Sequence, residues 1–253
     1  MIRTVATLFA VFFGTIALAP IVMVAAMLRI PEGPGSIYER TMARWARLLN
    51  RVAGVRIVVH GAPLTGARTG AVYVANHVSW FDVFVIAAVL PRYTFIAKSE
   101  LRRLPIFGFG AESAGIVFIQ RENRKAAFDA YRVAARDVER GRNVVVCPEG
   151  TRGHEYSLRP FKKGPFVLAI AAQAPVVPTL VYGAREVMRK GSFRIDPGVV
   201  HVHFLEPVAT AGMTYDDRGA LVDVVWGRMA TTLHELYGVS SGDEPTARDR
   251  ASA

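Results

Sequence analysis

The sequence predicts an α/β domain with a mostly parallel or mixed sheet flanked by helices, preceded by an N-terminal membrane-associated helical segment. Three observations carry this. Short apolar runs such as Ala71–Ala75 and Asn143–Cys147 alternate with longer stretches of helical spacing such as Asn123–Arg140. Several of the apolar runs stop at or near a chemically active residue: His77, Lys98, Arg121 and Glu149. Finally, Val5 to Leu28 carries no charge, and a run of that length crosses a hydrocarbon core of about 30 Å.

Composition bounds the function. The chain has 253 residues, enough for one globular domain with an appendage. One cysteine, Cys147, excludes an internal disulfide framework and a cysteine-based metal site. The net charge is +10, with Arg and Lys spread among apolar segments. A basic surface calls for anionic partners such as phospholipid headgroups, nucleotide phosphates or an acidic carrier protein. Nucleic acid is not expected, because charge is the only feature pointing to it and no recognition motif is present.

Residues 1–54 form the membrane-associated part. Arg3 and Arg29 flank the apolar run, and Pro20 is a kink point. Ala17-Leu18-Ala19 has the small-x-small look of a signal-peptide cleavage site, but the apolar run continues past it, so a retained segment is the reading adopted. The arginine excess that follows (Arg29, Arg40, Arg44, Arg47, Arg51 and Arg56) puts the domain on the cytoplasmic side of the inner, cytoplasmic membrane. Ser36 to Val52 reads as a helix after the Pro31-Glu32-Gly33-Pro34-Gly35 breaker, with Ser36 as N-cap and Glu39 completing a capping box. Arg40, Arg44, Arg47 and Arg51 line one face; Trp45, Leu48, Leu49 and Val52 line another. That is the pattern of an interfacial helix with its apolar side in lipid, and also of a surface helix packed on the domain. The first segment either spans the membrane or folds back with this helix as a hairpin in one leaflet.

Residues 55–240 form one domain, and residues 241–253 read as a disordered tail. Val55–His60 is a strand. Pro63–Gly70 is a polar loop before the strand Ala71–Ala75. Ser79 opens a second apolar run, Phe81 to Leu90, of helical length. Tyr93–Ala97 is a strand; Lys98 to Gly110 is mixed. Gly115–Gln120 is a strand ending at Arg121. Asn123–Arg140 is a helix stopped by Gly141. Asn143–Cys147 is a buried strand, Gly164–Gln173 an apolar helix and Val176–Tyr182 a strand. Phe193–Ile195 and Val199–Leu205 read as a closing pair of strands. His201 and His203 alternate with Val200, Val202 and Phe204, so both point from one sheet face. Tyr215–Tyr237 is the last helix.

The chemistry concentrates after the strands. On a continuous helix His77 and Asp82 would lie about 140° apart. They meet only if His77 sits in the turn and Asp82 in the first helical turn, which Ser79 as N-cap allows. Asp82 then orients the imidazole and leaves its other nitrogen basic, the base half of a triad. The other reading of the same spacing is Asp82 as a helix cap and His77 as a turn residue. No Gly-x-Ser-x-Gly nucleophile motif is present, so such a base would act on a substrate hydroxyl. Pro148-Glu149-Gly150-Thr151-Arg152 follows a buried strand. Gly150 permits close backbone approach, Thr151 donates, and Arg152 suits a phosphate; a charged surface turn has the same composition. In a parallel sheet the ends carrying His77, Lys98, Arg121 and Glu149 share one edge.

These residues resemble the membrane-bound glycerolipid acyltransferases of the 1-acylglycerol-3-phosphate acyltransferase type. The family's Asn-His-x-x-x-x-Asp motif stands as Asn76 to Asp82. Its apolar strand ending in Arg is similar to Gly115–Arg121. Its Pro-Glu-Gly-Thr-Arg motif stands as Pro148 to Arg152, and its proline-containing apolar segment is similar to Ala174–Pro178. The resemblance covers residues 55–205. It implies acyl transfer from a thioester, acyl-CoA or acyl carrier protein, to the hydroxyl of lysophosphatidic acid, without an acyl-enzyme. It implies His77 as base and Asp82 as its orienting partner. Lys98, Arg121 and Arg152 would hold phosphate, with Glu149, Gly150 and Thr151 shaping that pocket. It implies no cofactor and no metal. The apolar loop Leu104–Phe109 is a candidate guide for the acyl chain. Two alternatives stand beside this reading: the same transfer onto a lyso-ornithine lipid, a lyso-glycolipid or glycerol 3-phosphate, and a non-enzymatic lipid-binding protein.

Overall fold

The computed structural model describes residues 1–64, 70–120 and 123–242. Among these residues seven strands form one sheet in the order β1-β7-β6-β2-β5-β3-β4. They are β1 (Val55–His60), β2 (Val72–Ala75), β3 (Tyr93–Lys98), β4 (Val117–Ile119), β5 (Asn143–Val146), β6 (Val176–Tyr182) and β7 (Gly198–Phe204). All neighbours pair parallel except β6 and β7, which run antiparallel. The sheet is therefore mixed but mainly parallel. Its central strands β2 and β5 are buried along their whole length, which is why they read as unbroken apolar runs rather than alternating ones.

Among the described residues eight α-helices accompany it: α1 (Ile2–Met27), α2 (Ile37–Ala53), α3 (Phe81–Val89), α4 (Phe107–Ser113), α5 (Arg124–Glu139), α6 (Gly164–Ala171), α7 (Ala184–Val187) and α8 (Arg218–Tyr237). One face of the sheet packs Val72, Val74, Val144 and Val146 against Phe166, Leu168, Leu221 and Met229 of α6 and α8. The other packs Tyr73, Ala75, Val145 and Val202 against Phe81, Val85 and Ile86 of α3. The alternation of β2 residues between these two cores follows from the two-residue repeat of a strand.

The N-terminal helices form a hairpin on the domain. Ser36 caps α2, accepting the Glu39 N–H at 3.4 Å. Glu39 returns a bond to the Gly35 N–H at 2.8 Å, one residue before the position a capping box uses. Ala46, Leu49 and Ala53 of α2 are fully buried, while Arg40, Arg44, Arg47 and Arg51 are exposed. The apolar side of α2 thus faces mainly protein, with Leu48 left exposed. The exposed apolar surface lies on α1 instead, at Val5, Leu8, Phe9, Phe12, Phe13 and Ile16. Helix α1 is tied down near its start, where Thr4 Oγ1 accepts the Ile195 N–H at 3.0 Å, and farther along, where Ala19 lies against Gly110 of α4. Among the described residues α1 is the one helix long and apolar enough to cross a membrane.

Two expectations need correcting. Phe193–Ile195 is not a strand, so β7 has no hairpin partner there; the Ile195 N–H bonds the Thr4 side chain and Arg194 pairs with Asp196 two residues on. The strand β7 lies instead between β1 and β6. The mixed stretch after β3 contains a 3₁₀ turn, Ser99–Arg103, and the helix α4. Residues 65–69 of the polar loop, and 243–253 of the expected tail, lie outside the described residues.

Candidate active site

The carboxyl ends of β2, β5 and β3 lie side by side, because these strands pair parallel with Val74 opposite Val146 and Phe95 opposite Val145. The chain leaves β2 at Asn76, whose buried side-chain amide fastens the exit. Its Nδ2 donates to the Val181 carbonyl at 3.0 Å and its Oδ1 accepts the Val181 N–H at 2.8 Å. Asn76 therefore extends the β2–β6 ladder with a side chain and fixes where His77 emerges.

His77 Nδ1 lies 2.9 Å from Asp82 Oδ2. The same oxygen accepts the Val78 N–H at 2.7 Å and the Ser79 N–H at 2.8 Å. Both sequence readings of Asp82 hold together: it closes the turn into α3 and it binds the imidazole. The helix begins at Phe81, one residue later than an N-cap at Ser79 would give. The Ser79 hydroxyl accepts the Phe81 N–H at 3.2 Å and donates to the Met188 carbonyl at 2.7 Å, anchoring the turn to the segment after α7. The Asp82 side chain is 1% exposed and that of His77 is 17% exposed. A carboxylate can only accept, so Nδ1 carries the proton and Nε2 presents a lone pair.

The Pro-Glu-Gly-Thr-Arg segment after β5 completes the turn's support. Glu149 Oε1 accepts the His77 backbone N–H at 3.1 Å, and the Gly153 N–H donates to the His77 carbonyl at 2.7 Å. The backbone of His77 is thus gripped from both sides. Glu149 Oε2 is held in turn by Arg159 Nε at 2.9 Å. Arg159 also donates to Thr151 Oγ1 at 3.0 Å and to the Thr151 carbonyl. Burial lifts the Glu149 carboxyl above the ordinary carboxylate range, and the Arg159 hydrogen bond and charge pull it back in part. Gly150 has φ +80°, a left-handed conformation that favours glycine, and a Cβ there would press on the Lys162 side chain at 3.0 Å.

Arg152 lies with its guanidinium 5.0 Å from the centroid of the Trp80 ring. Burial lowers its pKa and the Asp82 charge raises it. The stacking holds a cation on the turn that follows His77. Lys98 ends β3 on the same edge, is exposed, and pairs with Glu100 at 2.6 Å. Arg121 lies outside the described residues. The structure therefore joins His77, Asp82, Glu149 and Arg152 through direct contacts or contacts with the same turn, with Gly150 and Thr151 in the supporting loop and Lys98 farther along the edge. A cavity of about 630 Å³ lies elsewhere, lined by Glu32, Tyr38, Arg92, Glu112, Val117 and Arg142.

Three contributors are not apparent from the motifs' chemistry alone. Asn76 is read as part of a motif, without its bridging role. Arg159 and Ser79 act through contacts across the fold. Arg159 sits ten residues after Glu149 in a segment without periodicity, so no local signal marks it.

The model of the family described as Acyltransferase matches residues 56–182. 1-Acyl-sn-glycerol-3-phosphate acyltransferase alpha of Mus musculus is 37% identical over 195 residues, 75% of this chain and 68% of that protein. 1-Acyl-sn-glycerol-3-phosphate acyltransferase of Cocos nucifera is 30% identical over 221 residues, 86% of this chain and 70% of that protein. The crystal structure of the 1-acyl-sn-glycerophosphate acyltransferase PlsC from Thermotoga maritima shares the fold, with a TM-score of 0.72 and 23% identity over 94% of this chain and 99% of that one. The matched span carries β1 through β6, and with them His77, Asp82 and the Glu149–Arg152 segment, so the chain belongs to the acyltransferase family and is an acyltransferase enzyme.

Proposed function

We propose that this enzyme transfers an acyl chain from a thioester to the free hydroxyl of 1-acylglycerol 3-phosphate, forming phosphatidic acid. The observation that carries the mechanism is the His77 Nδ1–Asp82 Oδ2 contact of 2.9 Å beside a half-buried cation, Arg152. His77 Nε2 removes the hydroxyl proton as the acceptor oxygen attacks the thioester carbonyl. The tetrahedral intermediate collapses with cleavage of the C–S bond. The imidazolium returns its proton to the departing thiolate. Asp82 keeps the ring in the productive tautomer and offsets the positive charge that develops. Arg152, Lys98 and Arg121 are the acceptor-phosphate ligands in this reading. Glu149, Gly150 and Thr151 shape that pocket. The substrate assignment draws on the names of the relatives and on this basic edge.

The reaction is placed at the surface of the inner, cytoplasmic membrane, facing the cytoplasm. The exposed aromatic side of α1 enters the lipid, and the arginines of α2 lie toward headgroups. Because α1 is packed on the domain near its start and again at Ala19, it lies in one leaflet in this reading. Acyl-CoA and acyl carrier protein are the donor classes, and both are anionic. The test is thiol release by purified protein against a panel of lysophosphatidate, glycerol 3-phosphate, a lyso-ornithine lipid and a lyso-glycolipid. Release with lysophosphatidate at least tenfold above the others supports the assignment. Faster release with a phosphate-free acceptor would reassign the substrate.

A further inference from the structure

The sheet edge formed by β1 carries a cluster of three histidines. His60 closes β1, and His201 and His203 alternate along β7. The parallel register sets His60 opposite His203 and Val58 opposite His201, so the three side chains share one sheet face. One ring nitrogen from each lies within 4.8 Å of the others. His60 Nε2 and His201 Nδ1 are 2.9 Å apart. The rings are layered: His60 and His203 have centroids 4.2 Å apart at 6°, and His60 and His201 are 5.2 Å apart at 16°. His203 is buried, His201 half-buried and His60 exposed, so one side of the cluster opens to solvent.

We propose that His60, His201 and His203 form a binding site for a divalent transition-metal ion of the zinc class, separate from the His77 centre. Two histidines two apart on one strand and a third at the paired position of the next strand place three donors around one point above the sheet. A tetrahedral zinc ion with metal–nitrogen bonds of about 2.0–2.1 Å needs its ligand nitrogens about 3.3 Å apart. One pair is already near that distance, and modest side-chain rotation brings the third in. An all-imidazole set selects zinc, copper or nickel over the hard ions magnesium and calcium.

The surroundings favour a fixed site. The Tyr237 hydroxyl lies 2.6 Å from His203 Nε2 and orients that ring. Tyr237 stacks on Tyr182 at 3.7 Å, and Tyr182 on Tyr156 at 4.3 Å. A bound ion would tie the edge strand β1 to β7 and leave the fourth position to solvent. Strand β6 separates β7 from β2, so the site is not part of the hydroxyl-activating pair.

The test uses the full chain without a polyhistidine tag, stripped with a chelator and titrated with zinc by calorimetry, with cobalt absorption as a second readout. One zinc per chain is expected, with a raised unfolding temperature. His60→Gln and His201→Gln should each weaken binding at least tenfold and abolish the thermal shift, while His77→Ala and His234→Gln retain both. His60 is exposed, so its substitution spares the fold. Failure of the wild-type chain to bind zinc at micromolar concentration, or binding that survives both His60→Gln and His201→Gln, would overturn the proposal.

Discussion

Asp82 holds the His77 imidazole with the same carboxylate oxygen that accepts the Val78 and Ser79 N–H groups. One buried oxygen therefore fixes both the turn and the ring, so the geometry of the pair is set by the local fold. Replacing Asp82 by Asn keeps an acceptor for the turn but loses the charge that stabilises an imidazolium. The expected result is a fall in kcat of about 10³-fold with an unchanged circular dichroism spectrum. Steady-state kinetics on the purified variant checks this; a loss under tenfold would show that Asp82 serves the turn alone.

Glu149 stands behind His77, and Arg159 stands behind Glu149. Burial raises the Glu149 pKa and Arg159 opposes the rise. Arg159→Met removes the opposing effect, so Glu149 should take up a proton at higher pH and the acidic limb of the activity profile should move upward. The stability sign follows from linkage. A carboxyl whose folded pKa is raised favours folding below its unfolded value, and that contribution is lost as pH rises through the folded value. Pre-steady-state and pH–rate measurements on both proteins read the shift; coincident profiles would contradict it.

Arg152 rests on Trp80. If it binds the acceptor phosphate, Arg152→Ala should raise the acceptor KM by about tenfold or more while kcat changes less. Arg152→Lys should recover part of the loss, because a point charge replaces a planar fork. An unchanged acceptor KM in Arg152→Ala would favour a phosphate-free acceptor.

Asn76 is wholly buried and satisfies both backbone groups of Val181. Asn76→Ala leaves that N–H and C=O without partners, at a cost of about 2–4 kcal/mol. Chemical denaturation should show the loss. A cost near zero would mean that water replaces the amide.

The motif residues were legible because strands end where chemistry begins. Val72–Ala75 and Val144–Val146 are apolar throughout, and the parallel register then carries His77 and Glu149 to neighbouring ends. Periodicity also defined α5, whose helix matches Asn123–Arg140 to within a residue at each end. What stayed hidden depends on contacts across the fold. Arg159, the Ser79–Met188 bond, and the meeting of His60 with His201 and His203 have no local signature. The apolar face of α2 was ambiguous for the same reason: lipid and the domain core ask for the same side chains. Phe193–Ile195 had strand composition, but its backbone partner was a threonine from α1.

In the proposed membrane docking, the exposed Phe9, Phe12 and Phe13 of α1 make the contact with lipid. Changing all three to Ser should weaken binding to anionic vesicles at least tenfold, since burying one such side chain stabilises by about 1.5–3 kcal/mol. Vesicle flotation checks this, with thermal unfolding as the control for folding. Unchanged flotation would place the membrane contact elsewhere.

The central claim is that His77 is the base acting on the acceptor hydroxyl. The most direct measurement is thiol release from an acyl thioester in the presence of lysophosphatidate, comparing wild-type and His77→Ala protein that binds vesicles equally. The prediction is loss of at least 10³-fold in kcat for His77→Ala with vesicle binding intact. A His77→Ala enzyme that releases thiol and forms phosphatidic acid at the wild-type rate would contradict the account.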